Sequence, residues 1–190
     1  MRLFFITAVL VSLQILIPTF SASGSPICKS KSCKGITNKN VCIATPKRRL
    51  STYSYLPHKF LSIESNNKFV TATRSKCGGP WEIFKIRGNT IYNPHWKTYL
   101  SCQPNGKLEG NRKKAGAWEQ IQVIDLGFPD YQGNQIYALK CLAHKKFIVV
   151  EGGHVGGPVN ANRRSPGNWE QFTIKPMCDY DGRIKGCYRR

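Results

Sequence analysis

The chain has 190 residues and a formal charge of +19, from 29 lysines and arginines against 10 acidic residues. At 41% hydrophobic and 21% charged residues it has the apolar content of a packed core, which excludes a disordered polyelectrolyte, and its length suits one domain with arms. The basic excess points to an anionic partner such as nucleic acid, sulfated polysaccharide, acidic lipid or a mineral-bound anion; the plainer alternative is a solvated basic surface.

At the N-terminus, Arg2 precedes an apolar stretch from Leu3 to Ile17 that is broken only by Thr7, Ser12 and Gln14. Pro18 ends the stretch, and Ser21-Ala22-Ser23 supplies small residues for cleavage. The pattern predicts a secretory signal peptide over residues 1–23, with an uncleaved anchor as the alternative. The run falls short of the roughly 20 apolar residues of a membrane span, and no later stretch is apolar enough to be one. The expected product is secreted and extracellular. Nuclear DNA is then set aside as a physiological partner, although the charge would bind it in a test tube.

All eight cysteines (Cys28, Cys33, Cys42, Cys77, Cys102, Cys141, Cys178, Cys187) follow the signal peptide. An even count in a secreted chain reads as disulfides, with on the order of a hundred possible pairings, so the connectivity stays open. The pair favoured from spacing is Cys178 with Cys187, in the tail 176–190, closing a loop around Asp181-Gly182. No Cys-x-x-Cys occurs, which argues against zinc ribbons and thioredoxin-like chemistry. Residues 24–58 read as a basic, Cys-containing arm with Lys29, Lys31, Lys34, Lys39, Lys47, Arg48 and Arg49 and no acid before Glu64. Lys47-Arg48-Arg49 is either a processing site or part of a solvated linker.

Residues 59–175 contain a repeat. Three of the four tryptophans precede a glutamate and open an alternating apolar run: Trp81-Glu82-Ile83-Phe84, Trp118-Glu119-Gln120-Ile121 and Trp169-Glu170-Gln171-Phe172. The period is that of a half-buried strand. Upstream lie Phe69-Val70-Thr71-Ala72, Tyr99-Leu100-Ser101-Cys102 and Phe147-Ile148-Val149-Val150. Upstream again come Phe60 to Ile63, Thr90 to Tyr92 and Ile136 to Leu139. Turn residues separate these runs. Three units result, at about 59–88, 89–125 and 135–175. The third strand is Lys107-Leu108-Glu109 in the second unit and Pro158 to Ala161 in the third, and it is missing or vestigial in the first. Four short strands repeated three times predict an all-β, disulfide-bonded β-trefoil, a barrel capped by three hairpins. A three-bladed or sandwich arrangement is the alternative.

The pattern resembles the fascin-like, actin-cross-linking type of β-trefoil repeat, best matched by Lys97-Thr98-Tyr99-Leu100-Ser101 through Trp118-Glu119-Gln120-Ile121. The resemblance implies that Trp81, Trp118 and Trp169 are structural core residues. It does not transfer actin binding, because the chain is read as secreted and as a single trefoil. The Gln-x-Trp signature of ricin-B-type lectins is absent.

Just before each Trp-Glu pair the chain is basic: Arg74 and Lys76; Arg112, Lys113 and Lys114; Arg163 and Arg164. Units related by a threefold axis would set these residues at one level as a polyanion-binding collar, arginine for bidentate sulfate or phosphate contacts and lysine for point charge. Three ordinary basic turns are the alternative. A secondary set precedes the second strand of each unit: Lys68, Lys97, Lys145 and Lys146, with His95, Trp96 and His144. Trp96 lies outside the Trp-Glu pattern and is read either as an exposed stacking residue or as a cap on the barrel mouth.

Catalysis finds no support. The four histidines lack ligand spacing, Gly-x-Ser-x-Gly is absent, and Gly152-Gly153-His154-Val155-Gly156-Gly157 lacks the Gly-Lys-Ser/Thr ending of a phosphate loop and reads as a hairpin tip. No catalytic residue, metal or cofactor is expected. The leading expectation is a secreted binding module for anionic polysaccharide or a similar extracellular polyanion. A matrix protein assembling with acidic partners and a cationic host-defence protein are the alternatives; matrix extraction and liposome leakage would separate them.

Overall fold

The structure, a computed structural model, describes residues 35–49, 55–64 and 69–177. The expected signal peptide, Cys28, Cys33, Lys68 and the Cys178–Cys187 loop lie outside the described residues. In chain order the strands are β1 (Asn40–Ala44), β2 (Arg48–Arg49), β3 (Tyr55–Leu56), β4 (Phe60–Ile63), β5 (Val70–Arg74), β6 (Phe84–Arg87) and β7 (Thr90–Asn93). They continue as β8 (Thr98–Cys102), β9 (Leu108–Arg112), β10 (Ile121–Pro129), β11 (Gln135–Cys141), β12 (Lys146–Val150), β13 (Gly157–Arg163) and β14 (Gln171–Pro176). The helical segments among the described residues are short 3-10 turns.

Six strands form a closed ring. β1 pairs with β14 (Ile43 opposite Ile174) and with β6 (Val41 opposite Phe84), and β6 pairs with β7. The Ile121 N–H donates to the Asn89 carbonyl at 2.6 Å and joins β10 to the start of β7. β10 then pairs with β11, and β11 with β14. Closure leaves no long unpaired edge in the barrel. Alternation along these strands sends Val41, Ile43, Phe84, Ile86, Ile91, Ile121, Val123, Phe172 and Ile174 into one apolar core.

Three hairpins, β4–β5, β8–β9 and β12–β13, complete the main sheet. Each has a register shift near its start, beside an aromatic residue opposite an arginine: Phe60 and Arg74, Tyr99 and Arg112, Phe147 and Arg163. The hairpins also meet one another, through Phe69 with Glu109, Lys107 with Asn160, and Gly157 with Ala72. Gly110 permits this close approach, since a Cβ there would lie 2.5 Å from Ile63 Cδ1. Disulfides join Cys42 to Cys77 and Cys102 to Cys141, each with a Cα–Cα distance of 6.2 Å.

Three expectations change. Residues 40–44, read as part of the arm, are the barrel strand β1; their apolar Val-Cys-Ile-Ala run carries no Trp-Glu marker and sits among basic residues, which hid it. Residues 70–74 are not a second strand with a missing third: β4 is the outgoing strand of the first hairpin and β5 its return. Finally, Trp81, Trp118 and Trp169 do not belong to the apolar core. Trp118 and Trp169 are 37% and 47% exposed, whereas the adjoining Glu82, Glu119 and Glu170 are 7%, 5% and 5% exposed. The pairs at 118 and 169 lie in one-turn 3-10 segments, Ala117–Glu119 and Asn168–Glu170, where neighbouring side chains diverge. The carboxylate turns in toward backbone donors and the bulky indole turns out.

Candidate functional site

The residues before each Trp-Glu pair form three corners with related contacts. Each corner has a glycine three positions before the glutamate: Gly79, Gly116 and Gly167. The Gly116 and Gly167 N–H groups donate to Oε2 of Glu119 and Glu170, both at 2.6 Å. A Cβ would come within 2.5 Å of Glu82 Oε2 at Gly79, 3.2 Å of Glu119 Oε2 at Gly116 and 2.9 Å of Glu170 Oε2 at Gly167. The recurring Gly-x-Trp-Glu is thus a buried acceptor and the close backbone that feeds it. The glycine was present in the sequence as a regular offset and passed unread.

The arginine that ends each hairpin closes over this arrangement. Arg74 donates from Nη2 to Glu64 Oε2 at 2.8 Å, its Nε lies 3.8 Å from Glu82 Oε1, and its guanidinium sits 5.1 Å from the Trp81 ring. Arg163 donates to Glu151 Oε2 at 2.8 Å, with its Nε 3.6 Å from Glu170 Oε1. Burial pushes the Glu82 carboxyl above its ordinary pKa, against the pull of Arg74. For Glu64 and Glu151 hydrogen bonds and the adjacent arginine outweigh the burial cost and lower the pKa.

The middle corner differs. Gln103 follows β8 as Glu64 follows β4 and Glu151 follows β12. Arg112 donates to the neutral Gln103 Oε1 at 3.2 Å, and its guanidinium lies 5.8 Å from the Trp118 ring. Gln103 Nε2 donates to Ser101 Oγ at 2.9 Å, and Ser101 Oγ donates to Glu119 Oε1. Among the described residues no carboxylate oxygen lies within 4 Å of the Arg112 nitrogens.

The expected collar therefore divides. Arg74 and Arg163 are held by carboxylates and are half-buried, while Arg112, Lys76, Lys113, Lys114 and Arg164 are exposed. The secondary set lies against the same corners. Trp96 is not an exposed stacking residue: it packs on the core, donates from Nε1 to the Ile63 carbonyl at 3.2 Å, and its ring centroid lies 6.0 Å from that of Trp81. His144 takes the matching role at the middle corner, 6.2 Å from Trp118. Lys97 and Lys145, which follow Trp96 and His144, are exposed and adopt left-handed φ values of 53° and 54°, while Lys146 is half-buried in β12. At the third corner Arg48 donates from Nη2 to Asn168 Oδ1 at 3.0 Å and Gln171 Oε1 at 2.9 Å. That contact, and the β2–β3 pairing, remove Arg48 from a free basic linker.

Sequence reading also missed a cleft of about 290 Å³ between the β1–β2 connection and the tip of the β10–β11 hairpin. Pro46, Lys47, Arg48 and the exposed aromatics Phe128 and Tyr131 line it. Among the described residues no three His, Cys, Asp or Glu side chains converge as a metal site. No described helix is long and apolar enough to cross a membrane.

No family model matches the sequence, and a search of curated proteins finds no match. Solved structures do match. A designed threefold-symmetric protein, ThreeFoil, aligns with a TM-score of 0.56 at 17% identity, covering 70% of this chain and 96% of its own. SeviL bound to asialo-GM1 saccharide aligns with a TM-score of 0.53 at 9% identity, covering 74% of this chain and 99% of its own. At these identities the likeness shows the fold, an all-β, β-trefoil-like barrel.

Proposed function

We propose that the chain is a secreted β-trefoil of three four-strand units, 40–87, 90–129 and 135–176, of the fascin-like repeat type, and that it binds anionic extracellular saccharides. The observation that carries this reading is the pairing of half-exposed indoles with exposed cations at the corners. Indole and sugar ring both present flat, weakly polar faces, and a flanking guanidinium or ammonium matches a sulfate or carboxylate on the sugar. SeviL, solved with a saccharide bound on a related barrel, supports carbohydrate as the ligand class; fold alone would not choose it. Both disulfides fit an oxidising extracellular setting. The corners present aromatic faces and cations, the groups of a binding surface.

Elution from immobilised heparin tests the reading. The chain is expected to elute above about 0.15 M ionic strength. Combined replacement of the exposed Lys113, Lys114 and Arg164 by Ala is expected to move elution to clearly lower salt. Elution of the unaltered chain below that level, or an unchanged position for the triple variant, would defeat the reading.

A further inference from the structure

The three corners are related in build and differ in how their arginine is paired. At the first, Arg74 lies against both Glu64 and Glu82. At the third, Arg163 lies against both Glu151 and Glu170. At the middle, two carboxylates lie near Arg112 without pairing with it: Glu119 is occupied by the Ser101 hydroxyl and the Gly116 amide, and Glu109, opposite Ser101, accepts from Asn111 Nδ2 at 2.6 Å. Two positions differ: Gln103 stands in the place of Glu64 and Glu151, so Arg112 meets an amide, and Glu109 stands in the place of Thr71 and Asn160.

We propose that this middle corner is the oxyanion-binding subsite of the protein, taking a sulfate or carboxylate group of a saccharide on Arg112 with the sugar ring against Trp118. The proposal rests on the saccharide-binding reading above and narrows it to one corner. A guanidinium has five N–H donors in a planar fork. Arg74 and Arg163 each donate from Nη2 to one carboxylate at 2.8 Å and hold a second within 3.8 Å of Nε, so another anion would meet a neutralised cation. Arg112 spends one donor on an amide oxygen at 3.2 Å. The contact orients the fork without cancelling its charge, and charge-assisted, bidentate contacts to an oxyanion are the strong class. Gln103 is itself fixed, being buried and bound through Nε2 to Ser101. Lys113 and Lys114 follow directly in the chain and are exposed. Both add positive charge to the same end of hairpin β8–β9. Trp118, 37% exposed and flanked by His144, supplies the flat apolar surface beside it. Trp169 is more exposed, but its arginine is shared between two carboxylates.

The decisive experiment is calorimetric titration of the full chain with a defined heparin-derived octasaccharide, with a carboxylate-only hyaluronan octasaccharide as the second arm. Q103E introduces the residue that neutralises the other two corners and should weaken octasaccharide binding at least fivefold while leaving the melting temperature unchanged or raised. R112Q and W118A should each weaken binding by a similar factor, and W169A by less than twofold. E151Q, which gives the third corner the neutral amide of the middle one, should raise the affinity or the stoichiometry. Preference for the sulfated ligand over hyaluronan would assign sulfate as the oxyanion, and equal binding would assign either group. Q103E and E151Q binding as the unaltered chain does, while salt-sensitive heparin binding persists, would overturn this placement and leave the general reading intact. An unaltered chain that binds neither saccharide at low salt would overturn both.

Discussion

At Glu170 a carboxylate that is 5% exposed accepts the Gly167 amide at 2.6 Å and lies 3.6 Å from the Arg163 Nε. The neighbouring indole is nearly half in solvent. Side-chain size is therefore a poor guide to which member of a Trp-Glu pair is structural: the carboxylate satisfies a turn amide and steadies an arginine, functions an indole lacks. Replacing Glu170 by Ala removes the acceptor and leaves both donors short of a partner. The expected cost is about 2–3 kcal/mol, as for other charge-assisted buried bonds, read from the urea midpoint of unfolding. A cost under about 0.5 kcal/mol, typical of an ordinary surface residue, would contradict this role. The Trp-Glu recurrence was legible because three of six glutamates occupy it. The direction of each side chain was not, because a 3-10 turn breaks the period-2 rule that reads the strand after it.

Among the elements, hairpin β8–β9 and strand β11 show how the covering layer is tied to the barrel. Cys102 at the end of β8 bonds to Cys141 at the end of β11, across a sequence separation of 39. Closing a loop of that length removes unfolded-chain entropy worth about 4 kcal/mol in the chain-entropy model. The double variant Cys102→Ala, Cys141→Ala is expected to lose stability of that order in a denaturant titration, and an unchanged midpoint would show that the bond adds nothing to the packing of Leu100, Leu108 and Leu139. The hairpins were readable from alternating apolar residues and turn dipeptides. Their assignment as outgoing and returning strands was misread in the first unit, because Phe60–Ile63 and Phe69–Ala72 are equally strand-like and only pairing tells them apart. The Gly152–Gly157 segment is the β12–β13 hairpin tip that the sequence predicts, and it needs its glycines: Gly153 and Gly156 have φ of 56° and 89°, and a Cβ on Gly156 would lie 2.2 Å from the Ala72 carbonyl oxygen.

For the whole molecule, acid is the condition that opposes the fold. Burial, reinforced by the charge of Arg48, lowers the His154 pKa to about 4. Burial likewise lowers that of His58, whose Nδ1–H donates to the Thr45 carbonyl at 2.6 Å, with Lys47 and Lys175 adding to the shift. The unfolded chain takes up these protons near pH 6.5, and folded His154 only near pH 4. Between those values the unfolded state binds more protons, so stability present above about pH 6.5 is lost as pH falls. Glu64 and Glu151, with lowered pKa values, extend the loss below the ordinary carboxylate range, and Glu82, with a raised one, opposes it. Thermal melting should thus give a lower Tm at pH 4.5 than at pH 7, and H154N should shrink the difference. A Tm that is flat across that interval would refute the assignment.

The apolar runs from Phe60 to Ile174, the recurrence of Trp-Glu and the concentration of cations before each pair were determined by the sequence alone, since each is a local pattern of residue type and period. Tertiary structure decided what is non-local. The Val41–Ala44 run became a barrel strand because β14, β4 and β6 lie beside it. Arg74 and Arg163 became internal clamps because hairpin register sets them against acids ten or more positions away along the chain. Arg112 has no carboxylate partner because the residue its guanidinium meets, Gln103, is an amide. Burial and ion pairing depend on the group across the sheet, and a single strand read along its own length does not contain that group.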